Sequence, residues 1–270
     1  MGGLGNNLYQ LANVYNLHIK HNVDYVIPSS LNRGKADFYK QSNNLEFKKL
    51  FENNFNYSNN INYSAYFQYL HSDYHMAKFE YNNVPFINNT SYEGYFQSDK
   101  YFSNFNIKKE FILNSSIRKK LADKYSSLFN KKTIALHYRL AGDRVEESIQ
   151  YYHKNVNIEF YKKALKIITG DNNINNYNIL LFSDDIERGI LLLDNNKINH
   201  IPIRNADNVE DFILMTMCDF NIIGNSTFAW WAAYFNENNS KVIAPKTEWF
   251  GPGYKHLNID DIFPKNWTSL

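Results

Sequence analysis

The sequence predicts an α/β chain whose second half folds as a doubly wound, parallel sheet. Three observations carry that expectation. From Thr133 onward, short apolar runs alternate with segments of helical period, a pattern that implies parallel strands joined by right-handed crossovers. The strongest of these runs end in polar or charged residues, at His137-Tyr138-Arg139, Ser183-Asp184-Asp185 and Asn225-Ser226-Thr227. The last of them leads from Ile222-Ile223-Gly224 through a polar turn directly into Phe228-Ala229-Trp230-Trp231-Ala232-Ala233-Tyr234-Phe235, a strand, a turn and an apolar helix in succession.

Taken in order, the chain opens on a Gly-rich turn, Gly2-Gly3-Leu4-Gly5, followed by a helix with Leu8, Leu11, Ala12, Tyr15 and Ile19 at helical spacing and a short strand at Tyr25-Val26-Ile27-Pro28. Such a turn normally follows a strand, and only Met1 precedes it here, so the first strand is missing from this chain or the turn is anchored in another way. Residues 35–105 are aromatic-rich and irregular, with strands expected near Ala65-Tyr66-Phe67 and Glu93-Gly94-Tyr95-Phe96. A linker region at 106–130 divides an N-terminal domain, residues 1–115, from a C-terminal one, residues 116–270.

Within the second domain the pattern predicts strands at Thr133–Arg139, Asn178–Ser183, His200–Pro202, Asn221–Gly224 and Val242–Pro245. The helices between them are expected at Glu159–Ile168, Ile186–Leu193, Val209–Cys218 and Thr227–Asn236. The buried stripe of the last helix is expected to comprise Phe228, Trp231, Ala232 and Phe235.

Composition narrows the function. The chain has 270 residues, 44% hydrophobic and 21% charged, as for a folded globular protein with two modest cores or one large one. A net charge of +2 from 29 basic and 27 acidic side chains is too balanced for a nucleic-acid binder, so an anionic ligand has to be held locally. The single cysteine, Cys218, sits in an apolar run and is expected to be a buried, inert thiol. No segment is apolar over the length of a bilayer span, and the first residues lack the parts of a signal peptide. The chain is therefore expected to be soluble and cytoplasmic, with peripheral membrane association left open.

In open α/β sheets ligands bind outside the carboxyl ends of the strands. His137, Arg139 and the following Asp143, Asp184 and Asp185, and Asn225, Ser226, Thr227 and Phe228 collect at that rim. Arg139 supplies a planar guanidinium suited to phosphate, the acidic pair can accept from a base or ribose, and the start of the last helix aims N–H groups and a positive dipole end at one point. Each has a structural alternative: a core histidine, a sheet-bracing arginine, and helix caps at Asp184 and at Ser226 or Thr227. Together at three strand ends they favour a nucleotide or nucleotide-sugar site. Other motifs fail. Gly3-Leu4-Gly5-Asn6-Asn7-Leu8 lacks the third glycine and the preceding strand of a dinucleotide fingerprint, there is no Walker sequence or Asp-x-Asp, and His71 and His75 have no matching second half for zinc. Glu146-Glu147 reads as a solvated charge pair, and no metal site is expected.

The segment Gly2 to Ala12 resembles the opening motif of the α-1,2-fucosyltransferases of glycosyltransferase family 11, and Gly94 to Phe102 resembles their mid-chain motif. Phe182 to Glu187, Ile222 to Ala233 and Val242 to Lys246 are similar to their later motifs, in the same order. Two departures stand out. The family's His-x-Arg-x-Gly-Asp appears as His137-Tyr138-Arg139-Leu140-Ala141-Gly142-Asp143, with one extra residue before Gly142, so Asp143 does not carry over as His137 and Arg139 do. Family members also carry a strand before the Gly-rich turn, which leaves the N-terminal half here without its first strand, or makes the chain a fragment.

The resemblance implies a GT-B-like fold of two Rossmann-like domains facing a cleft, the N-terminal one on the acceptor side and the C-terminal one holding the donor. It implies inverting, metal-independent transfer of fucose from GDP-fucose, with no cofactor, to a galactose-containing glycan acceptor, at O2 of a terminal galactoside. Arg139, Asn6 and, as a candidate base, Asp143 would be catalytic. His137, Asp184, Asp185, Asn225, Ser226, Thr227, Phe228 and Gly5 would bind the donor. Two alternatives stay open: a related transferase using another GDP-sugar, and a degenerate nucleotide- or glycan-binding homologue without turnover.

Overall fold

A computed structural model describes residues 3–28, 43–58, 65–68, 81–140, 147–238 and 241–270. The chain divides into two compact units, Met1–Asn114 with Leu257–Pro264, and Ser115–His256 with Lys265–Leu270. Leu257–Pro264 thus departs from the contiguous second region expected at 116–270. Ile262 and Phe263 are buried, and Asp261 pairs with Lys100 and accepts the Tyr81 N–H at 2.7 Å, all within the first unit.

The first unit contains α1 (Leu4–His21), β1 (Ile27–Pro28), α2 (Asn43–Leu50), β2 (Tyr57–Ser58), β3 (Ala65–Gln68), β4 (Thr90–Glu93), a 3-10 turn (Asp99–Phe102) and α3 (Ile107–Glu110). Leu8, Leu11 and Ala12 are buried as their spacing predicts, whereas Ile19 is exposed near the helix end, where Asn22 adopts the left-handed conformation and its N–H bonds the His18 carbonyl. Phe51, Phe55 and Phe111 pack edge to face in the core beneath α2.

Among the described residues this unit is not a doubly wound sheet. It holds two separate parallel pairs, β1 with β2 and β3 with β4. The strand expected at Glu93–Phe96 lies earlier, because Phe96 takes φ 49° and turns the backbone out of the extended region.

The second unit runs α4 (Ser115–Lys124), a 3-10 turn (Ser126–Asn130), β5 (Lys132–Tyr138), α5 (Glu147–Gln150), α6 (Ile158–Thr169), β6 (Tyr177–Ser183), α7 (Ile186–Asn195) and β7 (Ile201–Pro202). It continues with α8 (Asn208–Met217), β8 (Phe220–Ile222), α9 (Thr227–Phe235), β9 (Lys241–Ala244) and β10 (Thr268–Ser269). The six strands form one sheet in the order β10-β9-β8-β5-β6-β7, every described pair parallel. Leu136 at the centre is in register with both Leu181 and Ile222.

Being covered on both faces, β5 and β6 carry nearly unbroken buried runs. Ile134, Leu136, Tyr138, Ile179 and Leu181 pack on Phe160, Tyr161, Ala164 and Leu165 of α6 and on Leu193 of α7. On the helix α9, the buried set is wider than the expected stripe: Trp230 joins Trp231, Ala232 and Phe235 in the core, so the helix is apolar almost all round, while Phe228 is half-buried. Cys218 is fully buried, and burial pushes its thiol up to about 12. Among the described residues no helix is long and apolar enough to cross a membrane.

One buried group is at odds with the fold. Asp207 caps α8, accepting from Val209 N–H and Glu210 N–H at 3.0 Å each. One turn on, Asp211 buries a carboxylate oxygen that has no hydrogen-bond partner. Burial, then the charges of Asp207 and Glu210, push its carboxyl up to about 7, against the pull of Lys124. A folded-state value above the unfolded one means that the native state holds this proton more tightly, so stability falls as pH rises from about 4 through about 7. Asp211→Asn should therefore raise stability at about pH 8 by about 1–3 kcal/mol, and the gain should vanish near pH 4. Thermal unfolding of both proteins across that range checks this, and a difference independent of pH would contradict it.

Candidate functional site

The strand order of the second unit reverses at β5. Connections run outward through β6 and β7 on one side, then return to β8 on the other and continue to β9 and β10. The crevice beyond the carboxyl ends of β5 and β8 is thus the topological switch point at which doubly wound folds bind ligands. The sequence places Gly224 there. A Cβ at this position would lie 3.0 Å from the His137 carbonyl oxygen and 3.1 Å from the Tyr161 hydroxyl, which itself donates to that carbonyl at 3.1 Å. A residue without a side chain lets the exit of β8 pass this close to the exit of β5 without crowding it.

Beyond Gly224 the chain turns tightly, with Ser226 N–H donating to the Gly224 carbonyl at 2.8 Å, and α9 begins at Thr227. Ser226 occupies the N-cap position in extended conformation, yet its side chain makes no capping hydrogen bond. The capping alternative therefore does not hold for Ser226. Trp230 N–H takes the Ser226 carbonyl at 2.9 Å, so the preceding N–H groups of Thr227, Phe228 and Ala229 form the open first turn of a helix, at its positive end. Ser226, Thr227 and Phe228 are all partly exposed there.

Asn225, expected to touch a donor, is buried and spends its side-chain amide within the fold. Its Nδ2 lies 2.8 Å from the Lys154 carbonyl and 3.2 Å from those of Glu248 and Trp249. The residue ties two loops to the start of α9. The loops also hold each other: Gly251 N–H donates to Tyr152 and Gly253 N–H to Tyr151, each at 2.8 Å, while His153 packs on Phe250 and Tyr254. A Cβ at Gly251 would lie 2.5 Å from the Tyr151 carbonyl oxygen. Sequence reasoning missed this aromatic rim, although Trp249-Phe250-Gly251-Pro252-Gly253-Tyr254 carried a turn signal.

At the end of β5, Arg139 pairs with Asp184, Nη1 to Oδ2 at 2.7 Å, and the other oxygen of Asp184 accepts the Leu140 N–H at 2.7 Å. Ser183 Oγ donates to the Tyr138 carbonyl at 2.7 Å, so the exits of β5 and β6 are stapled together. Asp185, not Asp184, caps α7, accepting from Arg188 N–H at 3.1 Å. The acidic pair is thus divided: one carboxylate orients the guanidinium and the other starts a helix. Arg139 keeps 34% of its side chain exposed and is reachable from solvent.

His137 is buried, its ring centroid 6.1 Å from that of Phe228. Tyr138 points to the opposite face, donates to the Val156 carbonyl at 2.9 Å, and is pushed up to about 12 by burial. Asp143 lies outside the described residues.

Gly5 and Asn6 lie in the first unit, in the first turn of α1, which opens on Gly3 with no side-chain cap. Asn6 Oδ1 accepts from Gln97 Nε2 at 3.0 Å, and Gln10 Nε2 donates to the Gly94 carbonyl at 3.0 Å. The opening and mid-chain motifs, some ninety residues apart in sequence, are therefore joined side by side. Among the described residues no group of His, Cys, Asp and Glu is placed to hold a metal ion.

Comparison with known proteins adds to this geometry. The family model described as glycosyl transferase family 11 matches residues 1–270. The chain is similar to the O-antigen biosynthesis glycosyltransferase WbnK of Escherichia coli, 28% identical over 145 residues, 52% of this chain and 45% of that protein. It is also similar to an alpha-1,2-colitosyltransferase of Escherichia coli, 30% identical over 101 residues, 36% of this chain and 33% of that protein. The chain spans less than half the length of the curated relatives it matches. Among solved structures, fucosyltransferase NodZ from Bradyrhizobium superposes with a TM-score of 0.51 at 14% identity, covering 85% of this chain and 88% of that one. That likeness shows a shared α/β fold of the GT-B-like kind.

Gly224→Ala tests the switch-point geometry. The added methyl must displace the His137 carbonyl or the Tyr161 hydroxyl, so stability should fall by about 1–3 kcal/mol, as for overpacking of a filled interior. Denaturant unfolding reads this directly, and an unchanged midpoint would mean that the two strand exits are not in contact.

Proposed function

The chain belongs to glycosyl transferase family 11, and we propose that it transfers fucose from GDP-fucose to a hydroxyl of a glycan acceptor, at O2 of a terminal galactoside, with inversion and without a metal ion. The observation that carries this reading is the open N-terminus of α9 at the β5–β8 switch point, with Arg139 at the exit of β5. When GDP leaves fucose, positive charge grows on the sugar ring and negative charge on the β-phosphate. Fixed N–H dipoles, joined by the Arg139 guanidinium if it reaches the same oxygen, would favour the transition state over the ground state, because the charge they meet is still developing. Asp184 then serves as the group that orients the Arg139 fork, and His137 is the proposed contact to the nucleoside. Asn6 and, as the candidate base, Asp143 complete the proposed catalytic set. The absence of an Asp-x-Asp sequence agrees with metal-free phosphate handling. The cytoplasm is the proposed site of action.

A second reading keeps the nucleotide and changes the sugar. The relative named an alpha-1,2-colitosyltransferase favours it. Both readings meet the same test, in which the protein is incubated with GDP-, UDP- and ADP-sugars and simple galactosides, with and without EDTA, and products are weighed by mass spectrometry. A fucosyl mass increment from GDP-fucose alone, undiminished by EDTA, is the expected result. Transfer from a different GDP-sugar would move the assignment to the second reading. Transfer from a UDP-sugar, or loss in EDTA restored by manganese, would contradict both.

A further inference from the structure

Four arginines lie among the described residues, and three of them are held by a carboxylate: Arg118 by Glu237, Arg139 by Asp184 and Arg204 by Glu187. Arg188 differs from them. It is exposed in the first turn of α7, and among the described residues its guanidinium makes one hydrogen bond, from Nη1 to the Leu140 carbonyl at 3.3 Å. The acidic side chains beside it in sequence are all engaged elsewhere. Asp184 grips Arg139 and the Leu140 N–H, Asp185 caps α7, and Glu187 is taken by Arg204. Arg188 thus keeps most of its N–H donors, and its charge, for something outside the fold.

Its place at the rim is fixed by packing. A Cβ at Gly189 would lie 3.3 Å from Leu181 Cδ2 and 3.4 Å from Ser183 Cβ, so the first turn of α7 sits closely on the exit of β6. From there the Arg188 side chain reaches back to the end of β5, at Leu140. The other side of that end meets the exit of β8, since a Cβ at Gly224 would lie 3.5 Å from the Arg139 nitrogen, and α9 starts shortly after at Thr227. Across the sheet the order is therefore the first turn of α9, then Arg139, then Arg188, over one to two strand spacings, about 5–10 Å.

We propose that Arg188 is a specificity-determining residue that reads the base of the bound nucleotide, its guanidinium fork donating to O6 and N7 of guanine. This rests on the proposed use of a guanine nucleotide. With the phosphate at the first turn of α9, a cation displaced from it towards β6 meets the far end of the ligand rather than the same phosphate. Guanine presents two acceptors side by side, O6 and N7, which a guanidinium matches bidentately, whereas adenine carries a donor where guanine has O6. The two carboxylates of Asp184 and Asp185 are already spent on Arg139, on the Leu140 N–H and on the start of α7, so the donor edge of Arg188 is the group left to discriminate between bases.

The test is calorimetric titration of the wild type, Arg188→Met and Arg188→Gln with GDP, inosine diphosphate and ADP. Inosine diphosphate keeps O6 and N7 and lacks the 2-amino group, so the wild type should bind it much as it binds GDP and should bind ADP more weakly. Methionine keeps an apolar stem without donors. Arg188→Met should weaken GDP and inosine diphosphate by roughly 10- to 100-fold, the scale of one bidentate base contact, and leave ADP binding and Tm nearly unchanged. A glutamine amide matches N6 and N7 of adenine, so Arg188→Gln should turn the preference towards ADP. Equal losses for all three nucleotides in Arg188→Met would put the arginine at the phosphates or in the fold and overturn the proposal, as would a wild type that binds inosine diphosphate no better than ADP. The readout is binding, so it stands apart from turnover. A wild type that transfers no sugar yet shows this pattern would retain the base contact and lose the proposed transfer. Fucosyl transfer with GDP binding unchanged in Arg188→Met would keep the transfer and overturn the base contact.

Discussion

The contact on which the second unit depends is the passage of Gly224 against the His137 carbonyl, where a Cβ would lie 3.0 Å from that oxygen, tighter than ordinary contact. Because β8 can exit that close to β5, α9 starts at the point where the strand order reverses. The N–H groups of its first turn then face the crevice that this topology opens. Asn225 extends the constraint outward by tying Lys154, Glu248 and Trp249 to the same turn. Losing that amide would leave three buried or half-buried carbonyls to find other donors, which is why a polar residue sits at the end of an apolar strand. The site is consequently shaped by backbone geometry, with side chains serving mainly to hold that geometry in place.

Charge is used sparingly. With a net charge of +2, long-range steering of an anion is weak, so the proposed nucleotide binding relies on dipoles and guanidinium groups at close range. The Arg139–Asp184 pair is partly exposed, so it adds little to stability. Its value is orientation, since Asp184 also grips the Leu140 N–H and so references the guanidinium to the end of β5. The first unit follows a similar plan with neutral groups. Asn6, Gln10 and Gln97 link the start of α1 to the turn after β4 through amide hydrogen bonds, without an ionised side chain in the set.

Much of the second unit was legible in the sequence because its strands are covered on both faces and its helices on one. That gives buried runs such as Ile134–Tyr138 and periodic segments such as Phe160–Leu165, and both are local signals. The first unit was less legible. Its strands are two to four residues long and pair in separate sheets, so pattern has little length in which to appear. The rim of strand ends was also readable, but not the division of labour along it. Which of Asp184 and Asp185 caps α7 turns on Leu140, 44 residues from Asp184, and whether Asn225 faces a ligand or three carbonyls depends on partners 23 to 71 residues away. Gln97 lay within a recognised motif, yet the positive φ at Phe96 beside it is not announced by the Phe-Gln-Ser sequence.

The central claim, that the first turn of α9 receives the phosphate of a guanine nucleotide, is tested most directly by following backbone amide resonances during titration with GDP. Hydrogen bonding to an anion moves the N–H groups that donate to it. The account predicts that the Thr227, Phe228 and Ala229 amides shift among the most in the chain, saturating together with the calorimetric binding curve. If GDP binds while these three amides stay where they were, the phosphate lies elsewhere and the account is wrong.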